Sequence, residues 1–224
     1  MADSKKILIS VVIPVYNNYF ALCELIASIS ASTFSQWNNI EVVCVDDAST
    51  QPKPQLLQDT LSSLPCRHTW VNLKKNSGPA TARNKGVAIS QGDFVIFFDA
   101  DVVLYPTTLK NAYNFFAQKR GHAFTGIWDK TQETTAFFPQ FKALRDHAYW
   151  FIEAEQNARY YLFSTRVAGI EKILFQKIGG FNTSYKQATV EDIELTYKIE
   201  QFTKISFEPE IVVHNEFELF WKIA

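Results

Sequence analysis

Three apolar runs, over residues 7–15, 40–45 and 94–98, pass almost without polar interruption. A strand with one wet face alternates apolar and polar residues, so an unbroken run belongs to a strand covered on both faces. Between the first two runs, Leu22, Leu25, Ile26 and Ile29 recur at helical spacing over residues 20–31. A second helix is predicted near 54–64 and a short strand near 69–73. Gly78-Pro79 opens a third helix, with proline suited to its first turn, and this helix runs to about Ser90. Strands alternating with helices predict an α/β fold, Rossmann-like, with a mostly parallel sheet flanked by helices on both faces. In such sheets ligands bind beyond the carboxyl ends of the strands.

All three runs end in unusual chemistry. The first closes on Pro14-Val15-Tyr16-Asn17, where Pro14 withholds a ladder donor. The second breaks on Asp46-Asp47. The third stops on Asp99-Ala100-Asp101, two carboxylates that lose hydration unless something positive receives them. Residues two apart on an extended segment share a face, so both can reach one point. A divalent cation carrying phosphates matches that arrangement, with hard oxygen ligands of which only one or two come from protein. The alternative is a solvated strand-to-loop junction.

Lysine and arginine number 22 against 23 aspartate and glutamate, so no global field favours nucleic acid. The 19 phenylalanines, 9 tyrosines and 5 tryptophans exceed what a core of this size needs, which predicts that some line a groove or a lipid-facing surface. Cys23, Cys44 and Cys66 form an odd set without C-x-x-C spacing; two of them sit in apolar contexts and read as small hydrophobes, so a reducing cytoplasm is expected. The first six residues are too short for a signal segment, and no apolar stretch is long enough to span a bilayer. The closing run Phe217-Glu218-Leu219-Phe220-Trp221-Lys222-Ile223-Ala224 suggests a piece of a longer protein.

The second half predicts a long aromatic helix over 137–157, a strand over 161–169, a short helix over 171–178 and the turn Gly179-Gly180-Phe181-Asn182. Another helix starts at Val190-Glu191-Asp192. Two short strands, 205–207 and 211–213, follow and end at His214. No repeat or linker interrupts the chain, so one domain over 1–224 is expected.

Taken in order, SVVIPVYNN, EVVCVDDAST, NSGPATARNKGVAISQGDFVIFFDAD and KIGGFN followed by Glu191-Asp192 resemble the family 2 glycosyltransferases of the GT-A fold. The resemblance runs from about Ile7 to His214 and implies a nucleotide-binding half to about 105 and an acceptor-binding half over about 106–224. It implies inverting, metal-assisted transfer of a sugar from a nucleotide-sugar, a UDP-sugar being the first choice, with Mn²⁺ or Mg²⁺. By matching position, it implies Asp101 as the main metal ligand and Asp99 as a contact to the ribose or, through water, to the metal. His214 would complete the metal shell, or be an ordinary strand-end histidine. Asp47 matches the carboxylate that accepts from the base, and Pro14 and Tyr16 match the loop bordering it. Asp46 is either a further nucleotide contact or local turn support. Arg83 matches a residue near the nucleotide. Asp192 matches the general base that takes the acceptor hydroxyl's proton. Glu191 would orient a substrate or cap its helix, where acidic residues also complement the dipole.

The Q-x-x-R-W motif of processive synthases is absent, since Gln201-Phe202-Thr203-Lys204 does not supply it, and this favours single-sugar transfer. Two other readings are a sugar nucleotidyltransferase and a non-catalytic nucleotide-sugar-binding module. The first would need a glycine-rich basic loop after the first strand, which Tyr16-Asn17-Asn18-Tyr19 is not. Intact Asp99, Asp101 and Asp192 speak against the second. Aromatic clusters at 137–152, 160–163 and 217–223, with Lys142, Arg145 and Lys222 nearby, either pack the sheet or suit a membrane interface. A cytoplasmic catalytic unit at the inner membrane face, acting on a glycan or lipid-linked acceptor, is the resulting expectation. His68, His122 and His147 fall in no motif.

Overall fold

The computed structural model describes residues 7–155, 162–185 and 190–217. Four parallel strands form one half of the sheet: β1 (Ile9–Val15), β2 (Ile40–Asp46), β3 (Arg67–Asn72) and β4 (Phe94–Phe98). The three apolar runs are β1, β2 and β4, and their burial on both faces explains the lack of alternation. Successive residues of β1 divide between two cores. Ile9, Val11, Ile13 and Val15 face one, and Val12 faces the other.

Helices α1 (Tyr19–Ser30) and α2 (Gln55–Ser62) cover the first face through Leu22, Ile26, Leu57 and Leu61. Helix α3 (Pro79–Ile89) covers the second through Ala80, Ala82 and Val87. It lies so close to β1 that a β-carbon on Gly86 would stand inside the Val12 side chain.

The other half of the sheet mixes directions. After β5 (Val102–Leu104) come α4 (Thr108–Ala117), β6 (Ala123–Trp128), α5 (Phe137–Glu155), β7 (Val167–Glu171), α6 (Lys172–Lys177), α7 (Glu191–Glu200) and β8 (Ser206–Asn215). The full order is β3-β2-β1-β4-β7-β6-β8-β5. Strand β7 runs antiparallel to β4 and β6, β6 runs parallel to β8, and β5 is antiparallel to β8. Helices α4 and α5 join α1 and α2 on the first face, through Phe115, Phe116 and Trp150. Helices α6 and α7 join α3 on the second, through Leu174, Phe175, Leu195 and Ile199.

Several boundaries differ from the sequence reading. The strand expected over 161–169 is β7, two residues past Thr165, and Tyr161 lies outside the described residues. The two short strands near 205–213 are one strand, β8, whose register against β6 slips between Thr125 and Ile127 around Pro209. A proline cannot donate to the ladder, so pairing resumes only beyond it. The closing residues 218–224 and Tyr160 also fall outside the described residues.

One consequence of the order governs the site. Phe98 ends β4 and Val102 starts β5, yet β7, β6 and β8 lie between those strands. Four strand spacings in a flat sheet amount to about 19 Å, whereas four extended residues reach about 14 Å. The sheet therefore curls, and Asp99-Ala100-Asp101 crosses the ends of β7, β6 and β8.

Candidate active site

A cleft of about 740 Å³ opens at the carboxyl ends of β1, β2 and β4, and Pro14, Tyr16, Asp47, Arg83, Asp99 and Asp101 all line it. Asn18, Asn76, Gly78 and Pro79 complete one wall. The volume suits a nucleotide-sized ligand.

Asp47 builds much of that wall. Its carboxylate accepts from the backbone N–H of Ser77 at 2.8 Å and of Gly78 at 2.7 Å, holding the turn that enters α3. Gly78 has φ +87° at the helix start, a conformation that glycine adopts without steric cost. Burial pushes the Asp47 carboxyl up, and the two amides oppose it. Each oxygen keeps a further lone pair for a ligand. Asp46 is turned elsewhere: it accepts from the Tyr19 hydroxyl at 2.8 Å and the Ser49 amide at 2.9 Å, is buried, and does not line the cleft. Turn support is therefore the role its placement displays. Tyr16 stands at the lip, 45% exposed.

Arg83 ties the second half to the first. Its guanidinium is buried, donating to Asp99 Oδ1 at 2.6 Å and to Glu191 Oε1 at 3.3 Å. The fork of donors on arginine allows this two-way grip. Asp99, at the end of β4, is thereby connected to the first turn of α7, where Glu191 and Asp192 sit. Asp192 is half-buried, and its Oδ1 accepts from the Ile193 amide at 2.8 Å. Burial first and the Glu191 charge second push its carboxyl up, with the Ile193 amide and Arg83 opposing. A carboxyl raised in this way is a better proton acceptor once ionised.

His214 is not brought to the carboxylates of the cleft. Its Nδ1 lies 3.1 Å from Asp129 and its Nε2 3.3 Å from Glu216, so both ring nitrogens face other carboxylates. Tyr105 donates its hydroxyl to Asp129, and Glu216 accepts from the amides of Glu133 and Thr134. Among the described residues, no group of three histidine, cysteine or carboxylate side chains is arranged to hold a metal. Apart from Asp47, whose oxygens accept from two amides, the carboxylates on the cleft are Asp99 and the exposed Asp101. That is too few for an all-protein cage and fits a cation that arrives with diphosphate oxygens.

The sequence reading gave no role to Asn18, Asn76, Asp129 or Glu216. Asn76 could have been found from its place before the Gly78-Pro79 helix start; Asp129 and Glu216 carry no local signal. His122 pairs with Glu171 and His147 sits against the Trp128 carbonyl. The three cysteines are unpaired, and burial raises the thiols of Cys44 to about 12 and Cys66 to about 11.

The sequence profile described as Glycosyl transferase family 2 matches residues 10–180. An uncharacterized glycosyltransferase of Haemophilus influenzae is 33% identical over 111 residues, 50% of this chain and 43% of the relative. An undecaprenyl-phosphate 4-deoxy-4-formamido-L-arabinose transferase of Pseudomonas paraeruginosa is 40% identical over 95 residues, 42% of this chain and 28% of the relative. The poly(ribitol-phosphate) beta-N-acetylglucosaminyltransferase TarS of Staphylococcus aureus is 35% identical over 107 residues, 47% of this chain and 18% of the relative. Among solved structures, TarS 1-349 in complex with UDP superimposes with a TM-score of 0.71 at 23% identity, covering 94% of this chain and 61% of that one. The mannosyltransferase PcManGT from Pyrobaculum calidifontis, in complex with GDP-Man and Mn²⁺, gives 0.73 at 22% identity, covering 97% and 59%. These likenesses establish the GT-A fold. The matched stretches span less than half the length of the curated relatives.

Proposed function

The chain belongs to glycosyl transferase family 2, and from that premise we propose that it moves one sugar, with inversion, from a nucleotide-sugar to a hydroxyl of a glycan or lipid-linked acceptor. The observation that carries this reading is the convergence of Asp47, Arg83, Asp99 and Asp101 on one cleft at the carboxyl end of the parallel strands. A UDP-sugar is the first choice of donor, supported by the UDP in the TarS structure that shares the fold.

In this reading Asp47 accepts from the base N–H with the lone pairs its amide partners leave, while Pro14 and Tyr16 border the ring. Asp99 and Asp101 would hold Mn²⁺ or Mg²⁺, which would supply a positive charge to offset that developing on the departing diphosphate. Asp192 takes the proton of the acceptor hydroxyl as that oxygen attacks the anomeric carbon and the bond to the diphosphate breaks. Glu191 acts through Arg83, keeping the first turn of α7 against the strand end that carries Asp99. His214 and Asp46 are left out of the ligand sets, because their polar atoms already hold other partners.

The acceptor class draws on the polymer and lipid-phosphate named in the relatives. No helix among the described residues is long and apolar enough to cross a membrane. Peripheral attachment at the inner face is proposed instead, because α5 exposes Phe137, Phe138, Phe141, Leu144, Tyr149 and Ile152 on one side.

The test is a screen of UDP-, GDP- and TDP-sugars for metal-dependent thermal stabilisation, since a ligand of the folded state raises the midpoint by mass action. Products from the stabilising donor are then read by NMR for anomeric configuration. Stabilisation by a UDP-sugar only with Mn²⁺ or Mg²⁺, and an inverted product, is expected. A chain that binds no nucleotide-sugar would sink the reading.

A further inference from the structure

Every other arginine among the described residues holds a carboxylate: Arg67 on Glu41, Arg83 on Asp99 and Glu191, Arg120 on Glu208, Arg145 on Asp146. Arg166 holds none. Its guanidinium lies over two aromatic rings, 4.6 Å from the centre of Trp128 and 5.5 Å from that of Phe217. Lys142 of α5 caps the same Phe217 ring at 3.7 Å and likewise has no ion pair among the described residues. Asp146, one helical turn along, is taken by Arg145 at 2.5 Å. Burial first, and then the Arg166 charge, lower the Lys142 ammonium from its ordinary value. Trp128 is only 4% exposed, and its indole N–H has no acceptor among the described residues.

Two half-buried cations and a buried donor therefore share one aromatic shelf, and among the described residues no carboxylate pairs with either cation. Buried polar groups are nearly always hydrogen-bonded, and a ring face compensates a desolvated cation only in part. The place is as telling as the charge. Arg166 directly precedes β7, whose first residue, Val167, pairs with Phe98 at the end of β4. Trp128 is the last residue of β6. Both thus stand at the sheet end that Asp99-Ala100-Asp101 crosses.

We propose that Arg166, Lys142 and Trp128 form a phosphate-binding subsite beside the transfer site, and that it takes a phosphate group of the acceptor. A guanidinium fork matches phosphate oxygens and the ammonium adds a point charge, with the Trp128 ring under the guanidinium as the floor of the subsite. The apolar shelf accommodates the carbon chain next to the phosphate. The word acceptor rests on the glycosyl-transfer reading; the anion site itself does not.

The same phosphate chemistry could come from the donor's diphosphate, and the experiment has an arm for each source. The indole resonance of Trp128, identified by its loss in Trp128→Phe, is followed by ¹⁵N–¹H NMR while inorganic phosphate or glycerol 3-phosphate is added. A saturable shift is expected. In Arg166→Gln and in Lys142→Gln it should need about tenfold more ligand, one decade in the binding constant, with the remaining spectrum showing an intact fold. UDP affinity with Mn²⁺, measured by calorimetry, should stay within about twofold in both variants. An indole that ignores phosphate, or variants that bind it as the wild type does, would overturn the site. A matching loss of UDP affinity would assign it to the donor and overturn the acceptor claim. The NMR arm needs no turnover, so failure of the glycosyl-transfer reading is seen separately, in the donor screen.

Discussion

As the proposed general base, Asp192 would carry two demands at once, ionised to accept a proton yet placed where ionisation is disfavoured. Burial and the neighbouring Glu191 charge raise its carboxyl, so as a general base it becomes active only as pH climbs past that raised value. The acid limb of kcat/KM should accordingly lie above the ordinary carboxylate range. In Glu191→Gln it should move down, because one cause of the upward shift is gone while the amide oxygen can still accept from Arg83. A limb that stays put, or moves up, contradicts this account. Asp192→Asn should leave donor binding intact in calorimetry while turnover falls about 10²-fold or more; near-normal turnover would move the base elsewhere, Glu191 first. Asp101→Ala removes an exposed carboxylate, so the melting temperature should hold while metal-dependent UDP binding disappears. Unchanged Mn²⁺ dependence would exclude Asp101 as a ligand. The meeting of Asp47, Asp99 and Asp101 on one cleft was legible in strand-end carboxylates. That Asp47 and not Asp46 faces the cleft came only from the resemblance, because in the structure it depends on the amides of Ser77 and Gly78, some thirty positions away. For His214 the sequence leaves ligand and ordinary strand-end histidine both open, and the carboxylates of Asp129 and Glu216 on either side of its ring carry no local signal.

Elements were readable in proportion to how far local pattern and tertiary environment agree. The unbroken apolar runs of β1, β2 and β4 announce strands buried on both faces, and the structure pairs them as neighbours in the parallel half. Strand β5 has three residues, too few for any period to register. Helix α4 did carry its signal, with Leu109, Ala112, Tyr113 and Phe116 at helical spacing and all buried, but it lies directly behind the Asp99-Ala100-Asp101 motif and was passed over. Strand β8 looked like two because Pro209 interrupts the ladder. The packing of α3 on β1 has a sharper test. The Val12 side chain is buried and β-branched, stiff at χ1, so Gly86→Ala must push helix and sheet apart. A loss of about 1–3 kcal/mol in urea unfolding is expected for such overpacking. Because α3 also presents Arg83 and the Gly78 turn, the variant should bind UDP more weakly as well. A Gly86→Ala protein as stable as the parent would mean that the two elements are not in this contact.

At the scale of the molecule, the face of α5 that the core leaves uncovered stands out. A globular helix ordinarily shows one apolar stripe, yet α5 buries Ala143 and Trp150 on one side and exposes Phe137, Phe138, Phe141, Leu144, Tyr149 and Ile152 on the other. Phe137 and Phe141 stack on each other at 5.7 Å between ring centres instead of on the core. Exposed side chains contribute little to folding, so Phe137→Ser, Phe141→Ser and Ile152→Ser together should change unfolding free energy by no more than about 0.5 kcal/mol apiece. A contiguous apolar face of this kind marks a surface used for something else. If that use is a membrane interface, with aromatic bodies in the acyl boundary and Arg145 at the headgroups, the parent should float with liposomes and the triple variant should not. Anionic lipid should strengthen the binding and added salt should weaken it, because only the basic rim is screened. Two results would separate the alternatives. A marked loss of stability in the variant would show that the face packs within the protein, and a parent that never floats, alone or in a longer natural chain, would remove the membrane from the account while leaving the transfer chemistry of the cleft untouched.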